Sequence, residues 1–295
     1  MRLLILKSTL WAFSCLSIWL VIEYYAGKEI NDYRRKLEIL NRRNAGALIL
    51  GSSHSFYGVL ADESSGTYNM SWSSQTLDET GWIAEQVPDS IHLLVCISPF
   101  SLSTTVDDRV ERWRNVLFNR TFTHISSDFH ELSFLLSMGG RKTLRMAKNG
   151  FNGVGPSRID EYGNGIRDSQ VKDFKGSAQA AHKRHFVRPN HDGLKRKLIR
   201  LSRRPNTSFF TPPFHRSYQT LIANEPNWSA TLSLLDSLSR NYQVNYSNYS
   251  GWDTPDSCFY DADHLNKHGQ RQFSRTLLNT CTSTNTPDLD ALQQR

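Results

Sequence analysis

The chain has 295 residues, 38% of them hydrophobic, with seven Trp and a formal net charge of +7. That length supports one or two domains with a full core, and that composition excludes a disordered chain. The charge is local: Lys183–Arg204 carries nine Lys/Arg against one Asp, which leaves the remainder about neutral, and no nucleic-acid-binding module or aromatic interleaving accompanies it. Leu3–Tyr25 reads as a membrane span, with Ser8–Ile22 free of charge and Lys7 and Glu23 placed to snorkel at its ends. No A-x-A cleavage signal follows, so an uncleaved anchor over residues 1–27 is expected. Residues 28–44 read as a charged helical linker, with Tyr33, Leu37 and Leu40 forming a thin apolar stripe.

A domain over residues 45–282 follows. Leu48, Ile49 and Leu50 form an apolar run ending at Gly51, the pattern of a short buried strand. Ser52, Ser53 and His54 come at the strand-to-loop junction. Thr67–Trp72 reads as a second strand and Thr76–Val87 as a helix. Ile91–Ile97 is an almost continuous apolar run suited to a parallel sheet. Residues 103–182 read as an insertion, with helical patterns at Val110–Phe118 and Phe129–Met138 and a Gly-rich loop at Gly150–Gly165. His191–Arg204 reads as a helix with Leu194, Leu198 and Leu201 on one side. Its basic face is either solvated or a contact for anionic lipid or glycan. Ser208–Thr211 and Gln243–Tyr246 are the last strands, with helices at Tyr218–Ala223 and Trp228–Ser239 between them and a final helix over Asn266–Leu278. Residues 283–295 read as a disordered tail. Strands alternating with helices imply an α/β fold with a parallel sheet of about five strands, its loops of chemistry at the strands' carboxyl ends.

Two stretches carry chemistry. Ser53 sits just after the first strand, on rigid backbone facing a cleft. Asp261 and His264, in the run Phe259–Asn266 (FYDADHLN), are three apart, so one short turn brings carboxylate and ring together. A carboxylate accepting from Nδ1–H sets the tautomer and leaves Nε2 to take a proton from a serine. Asp263 is the alternative orienter; the spacing of three favours Asp261. No C-x-x-C or His-rich spacing appears among the four Cys, so neither a metal nor a cofactor is expected. Cys258 and Cys281 flank the His-bearing turn and are either a disulfide or two free thiols.

Strand-G-x-S early and D-x-x-H-L-N late resemble the SGNH (GDSL-type) hydrolase and acyltransferase superfamily, over roughly Ala45–Ser98 and Ser208–Leu278. The resemblance implies Ser53 as nucleophile, Asp261 as orienting acid and His264 as base. Ser52 stands where many members carry Asp, and this GSS variant resembles membrane-anchored proteins of bacterial envelope polysaccharide modification. Ser73 or Ser74 takes the place of the glycine whose backbone N–H serves the oxyanion hole. The third block's Asn is missing, with Ser98 near its place. Ser74, Gln75, Ser98 and His54 are the candidate oxyanion or substrate-binding residues, a helix cap being the other reading of Ser74 and Gln75.

The resemblance implies a serine esterase or O-acyltransferase acting on an envelope glycan or lipid-linked saccharide, with an acyl donor or a membrane-bound acyltransferase as partner. The other reading is a catalytically silent SGNH-like subunit that binds glycan or supports such a transferase. The six basic residues after the span place the main domain in the cytoplasm by the charge rule. The resemblance implies the opposite: a single-pass protein of the bacterial inner membrane with its domain outside. The reading follows the resemblance, because long folded domains translocate largely regardless of flanking charge.

Overall fold

The computed structural model describes residues 2–29, 36–37, 40, 45–103, 159–242 and 244–283. The helices expected at Val110–Phe118 and Phe129–Met138, most of the charged segment 28–44, most of the Gly-rich loop and residues 284–295 lie outside them. Two compact units are distinguished, and α1 (Arg2–Glu29) belongs to the first. It covers the expected span, with side chains described for residues 4–17, where Leu4, Leu10, Trp11 and Phe13 are exposed. Among the described residues no helix is long and apolar enough to cross a membrane.

The second unit, Ile39–Arg109 with Ile159–Arg295, carries the α/β fold. Its elements run β1 (Ala47–Leu50), α2 (Ser53–Phe56), β2 (Thr67–Asn69), α3 (Leu77–Glu85), β3 (His92–Cys96), α4 (Phe174–His185), α5 (His191–Ser202), β4 (Thr207–Thr211), α6 (Arg216–Ile222), α7 (Pro226–Tyr242), β5 (Asn245–Asn248) and α8 (Lys267–Ser283). All neighbouring strands pair in parallel, in the order β2-β1-β3-β4-β5. That is the flavodoxin-like order, whose crevice lies at the carboxyl ends of β1 and β3.

β1 and β4 each begin one residue before the expected run, β3 is one residue shorter at each end, β2 stops three residues before Trp72, and the last strand is Asn245–Asn248, shifted from Gln243–Tyr246. β1 and β3 read as nearly unbroken apolar runs because both faces of the sheet are covered there. Ile49, Leu94, Cys96 and Phe210 join Phe273 and Leu277 of α8 in one core. Leu194, Leu198 and Leu201 are the buried stripe of α5, as their spacing predicts.

The basic segment is partly neutralised within the fold. Lys197 pairs with Asp78 and Arg200 with Glu85, both partners on α3. Arg204 lies 3.4 Å from Asp89 and donates to the carbonyls of Val87, Pro88 and Ile91. The sequence reading treats residues up to 182 as an insertion and misses α4, which Asp173 starts by accepting from Gly176 N–H. Ser283, the first residue of the expected tail, belongs to α8.

Candidate active site

The turn that carries Ser53 depends on glycine. Gly51 has φ +142, and a Cβ there would meet Ser55 Oγ at 2.7 Å and the Cβ of Cys96 at 2.8 Å. Any other residue at 51 would be strained and would press β1 away from β3. Ser52 then takes the N-cap position in extended backbone, and α2 opens with Ser53. The serine thus leaves the carboxyl end of β1, at the crevice.

His264 arrives from the other end of the chain. His264 Nε2 lies 2.8 Å from Ser53 Oγ. His264 Nδ1 lies 2.9 and 3.1 Å from the two oxygens of Asp261. Asp261 Oδ1 also accepts from the backbone N–H of Asp263 at 3.1 Å and of His264 at 2.8 Å. The turn closes around the carboxylate, which is what a spacing of three allows. A bridge between Phe259 and Leu265 ties its ends. Asn266 holds it to α8: its amide donates to the carbonyls of Ser257 and Phe259, and its Oδ1 caps the helix at His268 and Gly269.

Of the two aspartates, Asp261 holds Nδ1 by hydrogen bonds, while the nearer oxygen of Asp263 stands 3.4 Å from it and has no hydrogen-bond partner among the described residues. Asp263 is buried beside His54 and His185 instead. Burial by itself would lower the pKa of His264; the charge of Asp263, then the hydrogen bond to Asp261 and its charge, outweigh it and raise it to about 9. Burial would raise Asp263, but the charge of His264 beside it, with a smaller contribution from His54, holds it well below the usual carboxylate range. His54 and His185 are the opposite case. Burial dominates and lowers both, His185 to about 3.

Of the expected oxyanion and substrate residues, His54 is at the site: its ring stacks on that of His264 at 4.8 Å and 15°. Ser98 is bonded to His54 Nδ1 at 3.1 Å, so its hydroxyl is committed to that ring. Ser52 Oγ shares the same nitrogen at 3.0 Å. Gln75 is buried and donates to Thr80 Oγ1, so it braces α3, whose cap is Thr76. Ser74 adopts φ +61, the left-handed conformation that favours glycine. The turn after β2 thus keeps a glycine-like backbone without a glycine. It runs beside the Ser53 turn, where Trp72 N–H donates to Gly51 O and Ser73 Oγ to the Tyr57 hydroxyl. Cys258 is a free thiol directed at Gln272 Oε1 at 3.5 Å, and not half of a disulfide.

Three site residues have no signature in the sequence. Arg167 stacks over Tyr57 at 4.0 Å and Tyr260 at 4.4 Å, with its guanidinium 3.5 Å from Asp261 Oδ2. Its position follows from backbone pairing: Lys267 N–H donates to Arg167 O and Val171 N–H to Tyr260 O. His185 ends the missed helix α4, and Tyr218 of α6 holds its Nδ1 at 2.7 Å. Helical spacing in Ser177–Ala181 (SAQAA) was the one available signal for α4. No protein-family model matches the chain, and no curated protein matches it.

Proposed function

We propose that this protein is a serine esterase or O-acyltransferase of the SGNH type, working through an acyl-Ser53 intermediate. The observation that carries the reading is the continuous relay Ser53–His264–Asp261, at 2.8 and 2.9 Å, at the carboxyl end of β1. In the first step His264 Nε2 takes the proton of Ser53 as Oγ bonds to the acyl carbon. Asp261 supports the imidazolium. The proton then passes to the leaving oxygen as its bond to the acyl carbon breaks. In the second step a water or an acceptor hydroxyl gives its proton to His264 and takes the acyl group, freeing Ser53.

The acceptor in this reading is a bacterial cell-envelope glycan or lipid-linked saccharide, and the acyl group comes from an acyl donor or through a membrane-bound acyltransferase partner. The protein is held at the inner membrane by α1, whose exposed Leu4, Ile5, Leu10, Trp11 and Phe13 fit that role, with the α/β unit outside. The glycan and the location rest on the resemblance alone, since Cys258 is free and lends export no disulfide.

A fluorophosphonate probe tests the chemistry. The full-length protein should label, and Ser53→Ala should not. Absence of labelling in the wild type, or equal labelling of Ser53→Ala, overturns it. One observation favours the silent-subunit reading: Ser98 is bonded to His54, leaving the backbone around Ser74 as the oxyanion donor on offer. An unlabelled wild type that still binds envelope glycan selects that reading.

A further inference from the structure

Asp263 directs Oδ1 toward His264 and Oδ2 toward a second group of buried side chains that the relay does not use. His54 Nε2 lies 3.4 Å from Oδ2 and His185 Nε2 3.8 Å from it. The three residues are 1, 3 and 5% exposed, and their ligating atoms all lie within 4.8 Å of one another. Around a four-coordinate zinc with bonds of about 2.0–2.1 Å, neighbouring ligand atoms stand about 3.4 Å apart. One pair already has that spacing, and the rest need to close by well under 2 Å.

The hydrogen bonding of the group is incomplete on its inner side and complete on its outer side. Among the described residues, neither oxygen of Asp263 nor Nε2 of His54 has a hydrogen-bond partner. A buried carboxylate without one costs several kcal/mol. The nearest guanidinium, Arg184, is 3.9 Å away and largely in solvent. The far nitrogens of both rings are held: His54 Nδ1 by Ser52 Oγ at 3.0 Å and Ser98 Oγ at 3.1 Å, His185 Nδ1 by the Tyr218 hydroxyl at 2.7 Å. With each Nδ1–H donating outward, both Nε2 lone pairs are directed to the Asp263 side. Outer partners of this kind fix tautomer and ring orientation in metal sites.

From this geometry we infer that His54, His185 and Asp263 bind one divalent transition-metal ion, zinc being the best match to two imidazoles and a carboxylate. The ion's role is to clamp. It joins the Ser53 turn, the end of α4 and the Asp–His loop, three segments that are remote in sequence. The neighbouring grouping Asp261, Asp263 and His264 is not the site, because Asp261 and Nδ1 are already engaged with each other.

The test uses the full-length chain without a polyhistidine tag, loaded with zinc, freed of loose metal and analysed for metal content. About one zinc per chain is expected, with a higher melting temperature than the chelator-treated protein. Cobalt in its place should give the visible absorption of a four-coordinate site. His185→Ala, which leaves the relay intact, should lower zinc affinity by more than about tenfold. His185→Cys, which restores a ligand, should retain zinc, separating ligation from packing. Zinc well below stoichiometric in the folded wild type, or equal zinc in wild type and His185→Ala, overturns the site. Metal is counted rather than turnover, so the result is independent of whether Ser53 reacts.

Discussion

His264 and His54 lie in parallel, 4.8 Å apart, and both face Asp263. Their chemistry is opposite: one is raised to about 9 and the other lowered. At an effective dielectric of about 20, a unit charge about 4 Å away is worth roughly 4 kcal/mol, or about three pKa units, comparable to the effect of full burial. The closeness of the carboxylates against burial therefore decides the sign. His264 has two beside it, one of them in a hydrogen bond. His54 feels both charges as well, but burial outweighs them and the charge of His264 adds to it. Residue type is the same for both; the neighbours hold the proton on one and keep it off the other.

The largest way to break this comparison is at the relay. His264→Ala should slow fluorophosphonate labelling of Ser53 by about 10³-fold or more, with the circular dichroism of the folded protein kept. Wild-type labelling in that variant would show that another group, His54 first, activates the serine. Asp261→Asn should follow at about 10²–10⁴-fold, since the amide can present the wrong partner to Nδ1–H. Asp263→Asn should cost labelling only about tenfold, because Asp261 still orients the ring. Equal losses for the two aspartates would erase the distinction drawn between them.

The sign of the His264 shift gives a sharper check. In chelator-treated protein, the base must lose its proton to act, and two carboxylates hold that proton on. Labelling should therefore rise tenfold per pH unit at low pH and level off near about 9, not near the 6.5 of a free imidazole. A plateau already reached below pH 7 would show that the carboxylates do not control the base. The smallest effect is expected at Arg167, which touches Asp261 from the exposed side. Arg167→Ala should reduce labelling about threefold to tenfold and change stability by under about 1 kcal/mol, and Arg167→Lys should restore little, lacking the planar stack on Tyr57 and Tyr260. No change on either would make the arginine a bystander.

Much of this was legible from local pattern. Leu48–Leu50 before Gly51 and Ile91–Ile97 announced buried strands because a doubly covered parallel strand is apolar at every position. Asp261 and His264 announced their contact because a carboxylate three residues before a ring can accept both the ring and the intervening backbone N–H groups within one turn. The helix α4 was not legible, since a segment with charged ends and small residues inside an assumed insertion offers little periodic contrast.

By itself, then, the sequence determined the parallel α/β architecture, the Ser53 turn and the Asp–His pair, all of which follow from residues within a few positions of one another. Only the tertiary structure decided what lies around Asp263. His54, His185 and Asp263 are separated by 131 and 78 positions in the chain, Arg167 is delivered by backbone pairing to the Asp–His loop, and Ser98 turns its hydroxyl to His54. Such meetings depend on how β1, α4 and the loop before α8 converge at one end of the sheet, and desolvation and charge act on the side chains only after that convergence. No short spacing records them, because the forces that join these residues act through space and not along the chain.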